Sequence, residues 1–447
     1  MKQLIILVLS LLFMSSVSAA QTTAKFDNWK KGAYWRGFNV VADETSKTQQ
    51  DFLDLKATGA TFVYIGTKGF RTVEVPYSSV DFNIQKLEEY ISYCHTAHLP
   101  YALNIRQGPG RRDVYLESIG DPLSTVWTNA SEQQQYASML REIVEKYKND
   151  TLFIGIAPMT EPDPLSKGYF YLDTSSLKKL LVTNKIDMQA IMQLNVDSIR
   201  SVSKDIPILI QGPAYAAPEF IPLTPKINDP FIVYEYHCYR PHEYVYAGDT
   251  ISVVYPGNYI SYIQLKIAWF DKIYLKDTVF RFIYDRQKET GAPIFMGEFG
   301  LQFPHSGGEQ LLTDLSSSAI ENGWHFAYWD WRRPAGEGWN YELMPGTFWN
   351  AVLRSFIGNS LVTPADSVNM DISLSPNPSV SNITIIIHGA GRVKKLSLYD
   401  VLGHELKQIP LQNNVTQLNI EDLPSGEYLV LLHGDAGVIQ KKLLVSR

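Results

Sequence analysis

From about residue 29 to residue 357 the chain alternates short apolar runs with longer amphipathic stretches. The runs Gly37 to Val41, Thr61 to Ile65, Tyr101 to Ile105, Phe153 to Pro158, Pro207 to Ile210, Phe231 to His237, Pro293 to Gly297 and His325 to Trp329 read as eight strands. Between them, helical patterning covers Gln49 to Ala57, Asn83 to Thr96, Glu132 to Lys148, Met188 to Ser203, Lys272 to Thr290 and Gly308 to Asn322. Strands this apolar leave no face for water, so the alternation predicts an α/β fold of the (β/α)8 barrel type. A doubly wound sheet competes, but no glycine-rich phosphate loop follows the first strand.

After Val362-Thr363-Pro364 the pattern changes to short alternating segments: Asn382 to His388, Lys394 to Tyr399, Gln417 to Ile420, Tyr428 to His433 and Ile439 to Val445. Glycine-bearing breaks separate them, as in hairpins, which predicts a small all-β, sandwich-like module. The landmarks LSPNPSVSNITI, LSLYDVLGHEL, LNIEDLPSGEYLVLL and QKKLLVSR closely resemble the C-terminal sorting domain of type IX secretion. That resemblance implies the type IX machinery as a partner and export across the outer membrane of a Gram-negative cell. The module then addresses the chain and does no chemistry.

The first residues, MKQLIILVLSLLFMSSVSAA, combine a lysine, an apolar run and small residues around Val17-Ser18-Ala19, the pattern of a secretory signal peptide. The expected organisation is a signal peptide over 1–20, a barrel over 21–360, a linker over 361–371 and the sorting module over 372–447. No later segment has the roughly 18 uninterrupted apolar residues of a membrane span, so none is expected in the mature chain. Composition narrows the field further. With 45% hydrophobic and 19% charged residues and a net charge of −6, the chain is an ordinary globular one without the basic excess that nucleic acid requires. Two cysteines, Cys94 and Cys238, make no disulfide framework. The run Cys94-His95-Thr96-Ala97-His98 has no matching ligand cluster elsewhere and reads as a helix end, not a metal site.

A barrel opens at the C-terminal ends of its strands, and two glutamates stand there. Glu161 follows the fourth apolar run in LFIGIAPMTEPDP, and Glu298 ends the seventh in APIFMGEFGL. Proline after Glu161 stops the strand and biases that residue toward extended backbone. Paired carboxyls across one mouth suit glycoside hydrolysis, in which one protonates the leaving oxygen and the other attacks or activates water. These roles call for different surroundings: a raised pKa at Glu161 and an ionised, well-oriented Glu298.

From about Trp29 to Ile357 the ordered landmarks WRGFNV, LNIRQGPG, APMTEP, YEYHCY, MGEFG and AYWDW resemble glycoside hydrolase family 5, the cellulase family of retaining (β/α)8 glycosidases. The resemblance implies Glu161 as general acid/base, Glu298 as nucleophile, His237 and Tyr239 as supports around the reacting sugar, and Trp329 as a stacking platform. It implies no metal and no cofactor. Three positions depart from the family pattern. Thr160 stands where an asparagine usually precedes the acid/base, Tyr64 where an arginine usually helps keep the nucleophile ionised, and Arg106-Gln107 where histidine is common. Arg106 is a candidate to restore the missing charge. The tyrosine-dense excursion RPHEYVYAGDTISVVYPGNYISYIQ and the segment RRPAGEGWNYEL, with Trp339 and Tyr341, are candidate cleft linings.

The reading is a secreted retaining glycosidase acting on the β-bonds of a polysaccharide or oligosaccharide, foremost an endo-β-1,4-glucanase. A β-mannanase or exo-β-glucosidase is the alternative, since Thr160 changes the contact to the sugar 2-hydroxyl. From another class, the departures would suit an inactive glycan-binding barrel.

Overall fold

The computed structural model describes residues 25–42, 46–113, 123–165, 172–334, 336–344 and 348–356, and beyond these 371–388, 393–400, 405–411, 415–434 and 437–446. The expected signal peptide and nearly all of the expected linker lie outside the described residues. The chain divides into two compact units after Phe356.

In the first unit the strands, in chain order, are β1 (Arg36–Val41), β2 (Phe62–Thr67), β3 (Tyr101–Ile105), β4 (Phe153–Ala157), β5 (Ile208–Gln211), β6 (Ile232–Cys238), β7 (Gly257–Ser261), β8 (Lys266–Phe270), β9 (Ile294–Phe299) and β10 (His325–Tyr328). All but β7 and β8 close into one barrel in the order β1-β10-β9-β6-β5-β4-β3-β2, every pair parallel. The barrel strands are buried along their whole length, as their unbroken apolar runs predict.

Helices Gln49–Ala57, Asp81–Ala97, Ala130–Tyr147, Met188–Arg200 and Gly308–Glu321 match the helical patterning to within a few residues. Their starts are chemically marked. Thr48 and Asp51 form a capping box, and Asn129 and Asp187 cap the helices that follow them. The single helix expected over 272–290 is broken into Lys272–Tyr274, a π turn over Leu275–Val279, and Arg281–Thr290. Helices Thr174–Thr183 and Phe348–Phe356 were not legible from the pattern. The excursion after β6 is more ordered than a loop, because β7 and β8 pair there as an antiparallel hairpin.

Alternation along each barrel strand sorts side chains into an outer core against the helices and an inner one within the barrel. The inner core holds Phe62, Tyr64, Ala102, Leu209, Val233, Phe295 and Ala327. Trp29, from a helical turn over 25–30, packs beneath it, donating from Nε1 to the Ile154 carbonyl at 2.9 Å. Two residues further along these strands the interior turns polar, with buried Asn39, Asn104, Gln211 and Glu235. That polar layer is the floor of the mouth.

The second unit has two antiparallel sheets. Strands β11 (Asp371–Ser375), β12 (Asn382–His388) and β15 (Val415–Asn419) form one, and β13 (Val393–Asp400), β14 (Glu405–Pro410), β16 (Gly426–Gly434) and β17 (Gly437–Val445) form the other. Ile383, Ile385 and Ile387, every second residue of β12, share one core with Leu396, Leu398, Val430 and Leu443 of the other sheet.

Candidate active site

Two backbone irregularities bring the glutamates together. In β9, Met296 pairs with Tyr236 and Glu298 with His237, so Gly297 is an extra residue without a partner in β6. A bulge of this kind turns the next side chain, and Glu298 points inward where unbroken alternation from Phe295 would have sent it outward. The bulge is held from the next strand but one by Asn39 of β1, whose Nδ2 donates to the Gly297 carbonyl at 2.8 Å. A Cβ at Gly297 would overlap Glu235 Oε1, so any larger residue requires Glu235 or the bulge to move.

Glu161 is the second irregularity. Proline follows it, yet its φ is +44°, in the left-handed region rather than the extended one expected. Its N–H donates to Gln211 Oε1 at 2.6 Å, which holds the residue in this strained conformation. Its carboxylate then faces β6.

The two carboxylates meet at His237. Nδ1 lies 2.8 Å from Glu161 Oε1 and 3.5 Å from Glu298 Oε2, while Nε2 lies 3.2 Å from Glu235 Oε1. Oxygens of Glu161 and Glu298 and the imidazole nitrogen all fall within 4.8 Å of one another, a closeness these contacts account for. Burial opposes charge on His237, but Glu298 and the hydrogen bonds to Glu161 and Glu235 overcome it and raise its pKa to about 10. Tyr239 donates to Glu298 Oε2 at 2.9 Å. Glu298 Oε1 is buried and has no hydrogen-bond partner among the described residues.

Sequence reasoning expected an ionised, well-oriented Glu298. The structure puts an elevation on Glu298, whose pKa burial pushes up to about 7 against the opposing pull of the His237 charge. The neighbouring Glu161 charge adds to the rise, and Arg106 and the Tyr239 hydroxyl offset part of it. Glu298 is only 4% exposed, so desolvation dominates.

The other expected residues divide. Arg106 sits at the mouth, but Nε and Nη2 hold Asp113 at 2.6 and 3.2 Å, so its charge is largely matched by a buried partner. Its guanidinium also lies 5.5 Å from the Trp329 ring centre, and Arg333 lies 5.3 Å from the same ring. Gln107 is half-buried beside it. Thr160 is buried, its hydroxyl donating to Asn104 Oδ1 and its carbonyl accepting from Arg111. Trp339 packs with Tyr239 and Tyr246 at ring separations of 5.5 to 5.7 Å, forming an aromatic wall beside Glu298. Tyr341 is not in that wall. It is buried, and its hydroxyl donates to the Trp329 carbonyl at 2.7 Å and accepts from Leu301 N–H at 3.1 Å.

Glu235, Gln211 and Asn104 were missed. In YEYHCY the period of two puts Glu235 on the same face as His237, a signal that was readable. Gln211 is signalled only by being polar at the end of ILIQ.

Comparison with known proteins identifies the family of each unit. Residues 24–334 match the family model described as cellulase (glycosyl hydrolase family 5), and residues 373–446 match the secretion system C-terminal sorting domain. Endoglucanase C of Acetivibrio thermocellus is 22% identical over 324 residues, covering 64% of this chain and 84% of that protein. Cellodextrinase A of Ruminococcus flavefaciens is 19% identical over 249 residues, 52% of this chain, which spans 65% of that relative's length. Among solved structures, endoglucanase Cel5A from the hyperthermophilic Thermotoga maritima shares the fold with a TM-score of 0.55 at 18% identity, covering 74% of this chain and 99% of that one. Cellulose synthase subunit Z from Clostridioides difficile does so with a TM-score of 0.53 at 17% identity, covering 72% and 99%. Barrel, paired glutamates and matched families converge: the chain belongs to glycosyl hydrolase family 5, the cellulase family, and is a glycosidase that carries a secretion sorting domain.

Proposed function

We propose that this protein is an exported, retaining endo-β-1,4-glucanase working by double displacement. The observation that carries the reading is the approach of oxygens from Glu161 and Glu298 to within 4.8 Å. Retaining glycosidases hold their carboxyls about 5–5.5 Å apart, whereas inverting ones leave about 6.5–9.5 Å for a water. In this reading Glu298 attacks the anomeric carbon through Oε1, the oxygen with no other partner, while Tyr239 fixes Oε2. Glu161 gives a proton to the leaving oxygen and then takes one from the water that releases the sugar. Tyr239, Tyr246 and Trp339 offer flat apolar faces to pyranose rings, and Trp329 a platform beside them. Arg106 and Gln107 line the same mouth. The protein crosses the inner membrane by the signal peptide over 1–20 of a Gram-negative cell. Residues 21–360 do the chemistry, 361–371 link, and 372–447 are read by the type IX machinery.

A β-mannanase is the second reading, favoured by Thr160: its hydroxyl is engaged by Asn104, so the contact to a 2-hydroxyl differs from the one an asparagine would make. Cel5A of Thermotoga maritima has been crystallised with mannotriose as well as cellobiose.

The mature chain, assayed on β-glucans, mannans and aryl β-glycosides with the product anomer followed by NMR, should turn over glucan with retention. Glu161→Ala should lower kcat by about 10²–10⁴-fold, and Glu298→Ala should remove turnover. Inverted product would sink the mechanism. Binding without turnover, unchanged in Glu298→Ala, would instead identify a glycan-binding barrel.

A further inference from the structure

We infer that the buried pair Tyr64–Glu235 is a positioning device that holds His237 as an imidazolium, making this ring the fixed cation beside the two active-site glutamates, of which Glu298 is the ionised one and Glu161 carries the acid proton. The inference rests on the catalytic reading of Glu161 and Glu298 but is argued from a different part of the site, the floor beneath them.

The geometry of His237 carries it. Both ring nitrogens face carboxylate oxygens, Nδ1 toward Glu161 and Glu298 and Nε2 toward Glu235. A neutral imidazole has one N–H, so one of its nitrogens would present a lone pair either to Glu235 or to the ionised nucleophile Glu298. Only the doubly protonated ring donates on both sides.

Glu235 is fully buried and its two oxygens are both engaged, Oε1 by His237 and Oε2 by the Tyr64 hydroxyl at 2.9 Å. A buried carboxylate needs a partner of opposite charge, and His237 is the one it touches. Tyr64 is itself fully buried, and desolvation together with the Glu235 charge pushes its phenol far up, so it stays a neutral donor. It cannot compete for the role of cation. The glycine at 297 leaves room for Glu235 to reach this position.

The groups facing the ring come from several strands: Glu235 from β6 itself, Glu161 from the segment after β4, and Glu298 from β9, with Tyr64 of β2 and Tyr239 just past β6 acting through the carboxyl groups they bond. Arg106, at the end of β3, is the other cation whose field reaches Glu298, and Asp113 holds it in a bidentate pair. The positive charge next to the nucleophile thus stands on β6, supported from β2, instead of on β2 directly.

The test uses the full chain labelled with ¹⁵N-histidine, with His237 assigned by its loss in His237→Gln. At about pH 8 the wild-type ring should show two protonated nitrogens. In Glu235→Gln, which keeps an acceptor but removes the charge, the ring should lose a proton by that pH. The acid limb of kcat/KM should also move up by about one unit, a roughly tenfold loss below the limb that returns at higher pH. Tyr64→Phe, a milder change, should move both readouts the same way by less. A singly protonated His237 in the wild type would overturn the inference. So would variants that lose activity equally at all pH values, because a purely structural role does that. Trapping with a 2-fluoro glycoside keeps the two claims apart: no adduct at Glu298 beside a doubly protonated His237 would reject the catalytic reading and leave the charge assignment standing.

Discussion

Glu298 has to satisfy two opposing demands. Burial excludes water from its attacking oxygen but raises its pKa to about 7, while attack requires the ionised form. The free enzyme should therefore lose kcat/KM as pH falls through about 7, since protonation removes the nucleophile. Tyr239 donates to the carboxylate and so favours ionisation. Tyr239→Phe should shift this acid limb upward by about one unit, a hydrogen bond to a charged group contributing about 1.5–3 kcal/mol and each pKa unit corresponding to about 1.4 kcal/mol. The pH–rate profile checks it, and an unmoved limb would separate Tyr239 from the nucleophile. At this scale the sequence was informative about identity and misleading about surroundings. Glu161 and Glu298 were readable as strand-end carboxylates, but the left-handed backbone of Glu161 was not, because proline after it argues for extended geometry. What reverses that preference is Gln211, fifty residues away in sequence.

Strands and their order were legible because a parallel barrel strand is apolar along its whole length, which is a local property of the chain. The bulge in β9 was not. MGEFG reads equally as an unbroken strand end, and only pairing with β6 and β10 reveals that the register slips there. The same holds for the hairpin of β7 and β8, where tyrosines and prolines suggested loop and the pairing of Ile260 with Ile267 decided otherwise. The bulge makes a sharp prediction. Gly297→Ala inserts a methyl against Glu235 Oε1, so Glu235 or the bulge must move. Overpacking of this sort costs typically 1–3 kcal/mol, seen as a lower urea midpoint, and activity should fall further than that loss explains, because Glu298 is aimed by the same residue. An alanine variant with wild-type midpoint and turnover would mean the bulge does not orient the site.

For the catalytic unit as a whole, its histidines tie stability to pH in opposite directions. His237 has a folded pKa of about 10, above the ordinary value of 6.5, so the folded state binds its proton more tightly. That contribution is fully present below about pH 6.5 and is lost as pH rises toward 10. His325 and His242 behave conversely. Burial lowers both to about 4, and the Arg240 charge adds to the effect at His242. Their stabilising effect is intact above 6.5 and is lost as pH falls toward 4. Glu298, raised from 4.5 to about 7, adds to the alkaline loss over that interval and works against the two histidines below 6.5. Thermal stability should therefore decline from about pH 6.5 to 10, by at least a few degrees, given roughly 2–4 °C per kcal/mol in domains of 150–250 residues. All nine tryptophans lie between Trp29 and Trp349, so tryptophan fluorescence follows the barrel unit without signal from the sorting module. In His237→Gln the same scan should decline less above pH 6.5, because the larger of the two titrations there is gone and only that of Glu298 remains. A wild-type melting temperature that holds level or rises between pH 7 and 10 would show that His237 is neutral in the folded protein, and the carboxylates around it would then have to be protonated to share the site.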